Sequence, residues 1–268
     1  MEYFILNDGN AIPALGSGTN TFGKQDGVYT GDTKEVVSAI RTGYRFFDTA
    51  ESYGNEETIG TGILESGVER REIYISTKLK TRGRDGETVE VSPEAAEAAI
   101  ARSLAKLRTD YIDLYLIHHP IEDEGLLKEV WGVLEDYQRR GVLRSIGVCN
   151  HDPAQLDTIL DWAQVLPAVN QIKISPETPN RDIVSYTKDQ GLFPMAWGPL
   201  KFSERFREPL DAIGAWYGKT WAQVILRFNF QERILSIPKS HSPEHQKANL
   251  DIFDFVLKEE DMEKIRNL

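Results

Sequence analysis

The amino-acid sequence predicts an α/β protein whose 268 residues form one (β/α)8 TIM barrel. Short apolar runs of strand-like composition alternate eight times with longer segments of helical periodicity, which is the order of a parallel barrel. A length of about 250 residues is typical of such a barrel as one domain. Because no linker or low-complexity tract divides the chain, we expect a single domain over residues 1–268.

The predicted barrel strands are short, and several end at a polar residue. In chain order they are Leu15–Thr19, Arg45–Asp48, Ile73–Lys78, Ile112–Ile117, Ser145–Cys149, Ala168–Gln171, Phe193–Trp197 and Ile234–Ile237. Before them, Tyr3–Leu6 and Ala11–Ile12 flank the turn sequence Asn-Asp-Gly-Asn. That pattern predicts an N-terminal β-hairpin ahead of the barrel.

Helical patterns follow each of these strands. They are Asp32–Thr42, Asn55–Glu65, a helix that begins after Ser92, Leu126–Arg140, a helix from Asp152 to about Trp162, Asp182–Gln190, Pro209–Tyr217, Trp221–Phe230, Pro243–Leu250 and Lys258–Leu268. The clearest start is Ser92-Pro93-Glu94, with a capping serine, a proline at the first helical position and an acid in the first turn. The polar insert Thr81–Glu90 predicts an exposed loop.

Composition and charge exclude several classes of protein. The 31 basic and 42 acidic residues give a net charge of −11, so the surface should repel nucleic acid and anionic membranes. The single cysteine, Cys149, excludes an internal disulfide and fits a reducing compartment. The N-terminus lacks the features of a secretory signal, and no window approaches the ~20 apolar residues of a membrane span. We expect a soluble cytoplasmic protein with no obligate protein partner.

Four polar residues lie beside three of the predicted strands: Asp48, Tyr53, Lys78 and His118. Taken alone, each fits an ordinary structural role, such as a helix cap, a packing residue, a solvated lysine or a buried histidine. Barrel enzymes, however, place their chemistry at the C-terminal ends of the strands. Because these residues follow neighbouring strands, we expect them to meet at one rim of the barrel.

An acid, a phenol, an amine and an imidazole at one rim could form a proton-transfer centre. A phenol and a lysine each have an ordinary pKa of about 10. We expect Lys78 to lower the pKa of Tyr53 toward neutrality and Asp48 to keep Lys78 charged. Tyr53 would then be a general acid, and a neutral His118 could donate a hydrogen bond to a substrate oxygen. This set suits the reduction of a carbonyl group.

Other kinds of site are not indicated. His118 and His119 are consecutive in an expected strand, so their side chains should point to opposite faces, and no histidine shows metal-ligand spacing. The sequence contains no Gly-x-Ser-x-Gly nucleophile motif and no GxGxxG dinucleotide motif. Lys239-Ser240 opens the last barrel helix, which is a favourable position for an anion. We therefore expect no metal and a phosphate site at Lys239.

Four stretches of the sequence resemble the aldo-keto reductase family over essentially the whole chain. They are residues 43–56 around Asp48 and Tyr53, Asp110–His118, Val169–Gln171 and Ile237–Ser240. The resemblance implies an NAD(P)H-dependent reductase of aldehydes or ketones, similar to compact microbial members that act on small aldehydes, α-keto esters or keto-sugar acids. It also implies that Tyr53 donates the proton and that His118 orients the carbonyl.

The same resemblance implies which residues contact the ligands. The implied substrate contacts are Asn20, Tyr53, His118 and His119. The implied cofactor contacts are Gly18, Thr19, Asn20, Asp48, Cys149, Asn150, Gln171, Trp197, Pro199, Leu200, Lys239, Ser240, Ser242, His245 and Asn249. Asn150 and Gln171 would hold the nicotinamide amide, Trp197 would stack on its ring, and Lys239 would meet the 2′-phosphate of NADPH.

Departures from the family pattern concern the two ends of the implied site. His245 stands where an arginine is usual and Ala248 where an acid is usual, and a neutral imidazole lacks the fixed charge of arginine. We therefore expect weakened selectivity for NADPH, with NADH also accepted. The loops Pro120–Gly125 and Lys201–Glu208 are short, which predicts an open substrate pocket.

Two other functions fit parts of the sequence. A non-catalytic nucleotide-sensing subunit would not need the four polar residues of the rim. A barrel hydrolase or isomerase would leave Lys239-Ser240 and Trp197 without a role. Compact members of the family are often monomers, and a monomer is expected here.

Overall fold

The computed structural model describes residues 2–83 and 87–268. Its strands, in chain order, are β1 (Tyr3–Ile5), β2 (Ala11–Pro13), β3 (Ser17–Gly18), β4 (Lys24–Gln25), β5 (Val28–Tyr29), β6 (Phe46–Asp48), β7 (Tyr74–Leu79), β8 (Ile112–Ile117), β9 (Leu143–Cys149), β10 (Val169–Lys173), β11 (Phe193–Trp197) and β12 (Leu235–Ile237). Strand β3 and strands β6 to β12 form one parallel sheet in chain order. The predicted barrel is confirmed.

Helices cover the outside of the sheet. They are α1 (Lys34–Thr42), α2 (Glu56–Ser66), α3 (Pro93–Leu107), α4 (Glu124–Arg139), α5 (Pro153–Leu160), α6 (Arg181–Asp189), α7 (Arg207–Ala215), α8 (Trp221–Gln231), α9 (Pro243–Leu250) and α10 (Glu259–Arg266). The predicted cap is present at α3, where the Ser92 side chain accepts a hydrogen bond from the backbone N–H of Ala95 at 3.1 Å. Such caps satisfy backbone donors that a helix start leaves unpaired.

The barrel closes where its first strand meets its last. The backbone N–H of Gly16 donates to the carbonyl of Ser236 at 2.9 Å, and that of Gly18 donates to the carbonyl of Pro238 at 3.1 Å. A side chain at Gly18 would place its Cβ 2.8 Å from the carbonyl oxygen of Ile237, which is too close for an ordinary contact. A glycine is therefore needed at this point of the closure.

The N-terminal hairpin covers the end of the barrel where the strands begin. Strand β1 pairs antiparallel with β2, as predicted. Phe4, Leu6 and Ile12 are buried in the same apolar cluster as the barrel residues Phe46 and Met195. Phe4 also stacks on Phe193, with ring centroids 5.2 Å apart. The open end of the barrel is consequently the opposite one, where the strands terminate.

Sequence and structure differ mainly in small elements. The hairpin of β4 and β5 and the 3-10 helix Glu51–Tyr53 were not predicted. The predicted loop Thr81–Glu90 lies partly outside the described residues, at 84–86. The assignment of the whole chain to one domain stays a prediction. Within residues 2–83 and 87–268, no helix combines the length and hydrophobicity needed to cross a bilayer.

Candidate active site

An ion pair between Asp48 and Lys78 lies at the centre of the strand ends. Asp48 ends β6 and Lys78 lies near the end of the adjacent β7, and their side chains are 3% and 0% exposed. The Lys78 ammonium donates to Asp48 Oδ2 and to the carbonyl of Thr49, each at 2.7 Å. Ser76 and Gln171 donate to Asp48 Oδ1 at 2.6 and 2.8 Å. These contacts satisfy the buried charges and fix both side chains.

Asp48 decides the charge of Lys78. Burial of the ammonium by itself lowers the pKa of Lys78, because a charge is poorly solvated inside the protein. Burial is the largest single influence, but the charge and hydrogen bond of Asp48, together with smaller contributions from Tyr53 and Cys149, outweigh it, so the pKa of Lys78 is raised above its ordinary value. Lys78 therefore carries a full positive charge at neutral pH.

Tyr53 is presented to this pair by the short 3-10 helix. Gly54 follows it with a φ of 71°, a conformation that glycine adopts without strain. Glu51 anchors the turn by accepting hydrogen bonds from the Lys80 backbone at 3.2 Å and from Arg102 at 2.7 Å. The Lys78 ammonium lies 5.1 Å from the centroid of the Tyr53 ring.

The predicted lowering of the pKa of Tyr53 is wrong in this structure. Burial of the phenol raises the pKa of Tyr53 and is the largest influence on it. The charge of Lys78 opposes that effect, and Asp48 adds to it. Tyr53 is consequently a neutral phenol at neutral pH, so its hydroxyl carries a proton that it can donate.

His118 lies next to Tyr53 on the same rim. Its ring meets the Tyr53 ring edge-on, with centroids 5.7 Å apart, and its Nδ1 is 3.2 Å from the hydroxyl of Ser52. The rings of His118 and His119 stack at 4.6 Å and 17°, so the prediction that they point to opposite faces is wrong. Strand β8 ends at Ile117, and beyond that residue the side chains no longer alternate.

Asp48, Tyr53 and His118 line a cavity of about 500 Å³ at the open end of the barrel. The predicted residues that line it are Gly18, Thr19, Asn20, Asp48, Tyr53, His118, His119, Asn150, Gln171, Trp197, Pro199, Leu200 and Lys239. Residues that also line it but were missed are Gly198, Lys201, Ile237 and Pro238. The position of Lys201 just after Pro199 and Leu200 could have indicated it.

Asn150 connects three walls of the cavity. Its backbone N–H donates to the carbonyl of Gln171 at 2.9 Å. Its side chain donates to the carbonyl of His118 at 3.2 Å and accepts from the indole nitrogen of Trp197 at 3.0 Å. Asn150 has a φ of 59°, which is uncommon for a residue other than glycine. Such backbone conformations are often found at functional sites.

Two lysines give one side of the cavity a positive charge. Lys201 and Lys239 line it, and burial followed by repulsion from Lys201 lowers the pKa of Lys239. Among the described lining residues the only carboxylate is Asp48, which is paired with Lys78. In a chain with a net charge of −11, this local excess of positive charge favours an anionic ligand.

Some predicted residues lie beside the cavity without lining it. Lys78 is beneath the cavity, and Cys149 is buried in the apolar cluster inside the barrel. Ser240 and Ser242 follow Lys239, and Ser242 caps α9 by accepting from the backbone of His245 at 3.3 Å. His245 is exposed on that helix, while Asn249 is buried. Among the described residues, no group of three or more His, Cys, Asp or Glu is arranged to hold a metal ion.

A buried histidine behind Asn150 should make stability depend on pH. His151 is 1% exposed, and its Nδ1 lies 2.9 Å from the carbonyl of Cys149. Burial lowers the pKa of His151 from 6.5 to about 4. Since the unfolded chain takes up the proton first, the stability is fully present above pH 6.5 and is lost as the pH falls toward 4. We expect a loss of roughly 3 kcal/mol over this window, at ~1.4 kcal/mol per pH unit.

Urea unfolding at a series of pH values measures this loss. In His151→Asn the amide can replace the Nδ1 donor but does not titrate. The free energy of unfolding of this variant should therefore fall less steeply between pH 6.5 and 4 than that of the wild type. Equal slopes in the two proteins would show that His151 is not the titrating group.

Known proteins resemble this chain over most of its length. Residues 14–268 match the sequence model of the Aldo/keto reductase family. The chain is 39% identical over 261 residues to glyoxal reductase of Bacillus subtilis, covering 97% of this chain and 90% of that protein. It is 35% identical over 277 residues to morphine 6-dehydrogenase of Pseudomonas putida, covering 98% and 90%.

Solved structures show the same similarity. An aldo/keto reductase from Brucella melitensis superposes with a TM-score of 0.88 at 34% identity, covering 99% of this chain and 98% of that one. A Bombyx mori aldo-keto reductase in complex with NADP superposes with a TM-score of 0.88 at 31% identity, covering 99% and 92%. This chain belongs to the aldo/keto reductase family, which confirms the resemblance and the prediction of an oxidoreductase.

Proposed function

We propose that this protein reduces aldehydes or ketones to alcohols with NADPH, bound in the cavity at the open end of the barrel. The observation that carries the proposal is the buried pair of Asp48 and Lys78, which contacts Tyr53 at the cavity wall beside His118. A neutral phenol held against a buried cation is suited to give a proton to a developing alkoxide.

The described residues of the cavity fit a nicotinamide dinucleotide phosphate. Lys201 and Lys239 offer positive charge for phosphates, and the chain contains no GxGxxG motif that would suggest another phosphate site. Asn150 and Gln171 offer amide groups at the strand ends, and Trp197 offers an aromatic face on the same wall. The Bombyx mori relative with NADP bound supports the same assignment.

The proposed mechanism divides the proton chemistry among four residues. A nicotinamide cofactor held by Asn150, Gln171 and Trp197 would supply the hydride for the carbonyl carbon. Tyr53 donates its hydroxyl proton to the carbonyl oxygen, and Lys78 stabilises the phenolate that remains. Asp48 holds Lys78 in place and charged. His118 donates a hydrogen bond to the same carbonyl oxygen and so orients the substrate beside Tyr53.

Small polar carbonyl compounds are the proposed substrates. Asn20 and His119 give the cavity polar walls, and neither offers the apolar surface that a large hydrophobic substrate would need. A curated relative named glyoxal reductase also supports small polar aldehydes. We include α-keto esters and keto-sugar acids in the same class. The net charge of −11 supports a small-molecule substrate over nucleic acid or an anionic membrane.

Loss of the absorbance of the reduced nicotinamide tests the proposal. The purified protein is mixed with NADPH and a panel containing glyoxal, an aromatic aldehyde, an α-keto ester and a keto-sugar acid. Turnover that depends on the carbonyl compound and yields the alcohol supports the reductase. No turnover of any substrate, combined with absence of dinucleotide binding, would contradict it. Binding without turnover would instead favour a nucleotide-sensing subunit.

His245 is proposed to weaken the preference for NADPH over NADH. It is exposed in the first turn of α9, three residues after the capping Ser242, and an imidazole lacks the fixed positive charge of arginine. We expect His245→Arg to raise the ratio of kcat/KM for NADPH to that for NADH by about tenfold, equivalent to ~1.4 kcal/mol. The wild-type ratio should be below about a thousandfold.

Steady-state kinetics with both cofactors measure these ratios. His245→Gln is the matched control, since it changes the side chain without adding a charge, and its ratio should stay near that of the wild type. A wild-type preference above a thousandfold, or an equal change in the two variants, would contradict the role given to His245.

A further inference from the structure

A chain of hydrogen bonds runs from the cavity lysine Lys239 to the start of α1. The Lys239 ammonium donates to Thr21 Oγ1 at 3.0 Å. Thr21 Oγ1 lies 2.8 Å from His241 Nε2, and His241 Nδ1 lies 3.2 Å from Glu35 Oε1. Phe22 packs against the His241 ring with centroids 5.5 Å apart. Three segments distant in sequence thus meet beside Lys239.

The hydrogen bonds between Lys239, Thr21, His241 and Glu35 can all be made with one assignment of donors and acceptors. Lys239 can only donate, so Thr21 accepts from it and can give its own hydroxyl hydrogen to His241 Nε2. The Glu35 carboxylate accepts, so the imidazole hydrogen belongs on Nδ1. An imidazole with its hydrogen on Nδ1 and its lone pair on Nε2 therefore satisfies both contacts of His241. Glu35, whose side chain is 9% exposed, fixes the ring.

This arrangement holds Lys239 without neutralising it. A free lysine side chain has many rotamers, and ordering it on ligand binding has an entropic cost. The Thr21 hydroxyl is an uncharged acceptor, so it orders the ammonium but leaves its charge available to an anion. The carboxylate of Glu35 is separated from Lys239 by Thr21 and His241. A carboxylate in direct contact with Lys239 would have cancelled that charge.

We propose that Thr21 and His241 are positioning residues that hold the Lys239 ammonium toward the phosphate of NADPH and thereby set the preference for the phosphorylated cofactor. The proposal rests on the proposed function, since it assigns the cavity to a dinucleotide. Lys239 lines the cavity, whereas Thr21, His241 and Glu35 do not, so they act through Lys239. Removing these hydrogen bonds should weaken the binding of NADP⁺, which carries the extra phosphate, and leave the binding of NAD⁺ unchanged.

Equilibrium binding of NADP⁺ and NAD⁺, followed by tryptophan fluorescence, tests this. Thr21→Val removes the hydroxyl and nearly keeps the shape of the side chain. His241→Leu removes the imidazole nitrogen that accepts the hydrogen of the Thr21 hydroxyl. We expect each to raise the Kd for NADP⁺ about fivefold to tenfold, with the Kd for NAD⁺ changing less than about twofold. Thr21→Ser keeps the hydroxyl and should stay near the wild type. The double variant should bind NADP⁺ no more weakly than about the weaker single variant, because both act through one contact.

Control variants and the wild type separate the possible failures. Thr30→Val removes another threonine hydroxyl, one that donates to the carbonyl of Gly23 in the same loop at 3.0 Å, and should leave both Kd values unchanged. Three results would each overturn the positioning role. The Kd values for NADP⁺ and NAD⁺ could change in parallel, or the Kd for NADP⁺ could be unchanged in both Thr21→Val and His241→Leu. The third is a Thr21→Ser variant that binds NADP⁺ as weakly as Thr21→Val. A wild type that binds neither dinucleotide would overturn the proposed function itself.

Discussion

Replacing Tyr53 with phenylalanine is expected to lower kcat for carbonyl reduction by a factor between about 10² and 10⁴, the range typical of a general acid. The variant loses only the hydroxyl, while the ring that meets His118 and lies 5.1 Å from the Lys78 ammonium remains. Binding of NADP⁺ should therefore stay within about twofold of the wild type. Steady-state rates and equilibrium titration of the same preparation measure the two quantities.

Tyr137→Phe is the matched control for this experiment. Tyr137 lies on α4 and does not line the cavity, so removing its hydroxyl should leave kcat unchanged. A Tyr53→Phe variant that keeps kcat within about tenfold of the wild type would contradict the assignment of Tyr53 as the proton donor. If cofactor binding is lost together with turnover, the hydroxyl has a structural role instead.

Replacing Lys78 with methionine is expected to lower both stability and turnover. The ammonium is fully buried, and its removal leaves the Asp48 carboxylate without a counter-charge. Loss of one partner from a buried ion pair costs about 3–5 kcal/mol. Without Lys78, the phenolate formed from Tyr53 would also lack a neighbouring cation, so kcat should fall by at least about a hundredfold. Guanidinium unfolding and steady-state kinetics measure the two effects.

The double variant Asp48→Asn/Lys78→Met separates these effects. Removing the stranded carboxylate should recover a large part of the lost stability, because a neutral amide is less costly to bury than an unpaired charge. Turnover should not recover. Lys34→Met, which removes one partner of the exposed pair of Lys34 and Asp32, is the control and should change stability little. A Lys78→Met protein as stable as the wild type would contradict the role of the ion pair.

Alternation of strands and helices was sufficient to predict both the barrel and the neighbourhood of Asp48, Lys78 and His118. In a parallel barrel, residues at the ends of β6, β7 and β8 must lie on one rim, whatever the details of the loops. The start of α3 was equally clear, because capping depends on local sequence alone.

Features that depend on competing effects or on contacts between distant residues could not be predicted from the sequence. The pKa of Tyr53 is set by burial against the charge of Lys78, and a sequence gives no measure of burial. The stacking of His118 and His119 depends on strand β8 ending at Ile117. His241 contacts Thr21 across 220 positions of the chain, a pairing that no local pattern indicates. Roles of individual site residues stay predictions until variants are measured.

The N-terminal hairpin and the cavity lie at opposite ends of the barrel. Phe4, Leu6 and Ile12 pack into the barrel from one end, and the cavity opens at the other. Substitutions of polar residues that line the cavity, such as Asn20 and Lys201, therefore leave the apolar contacts of the hairpin intact. This separation lets the barrel acquire new substrate specificities. Evolution or engineering can replace residues that line the cavity repeatedly while the free energy of unfolding is maintained.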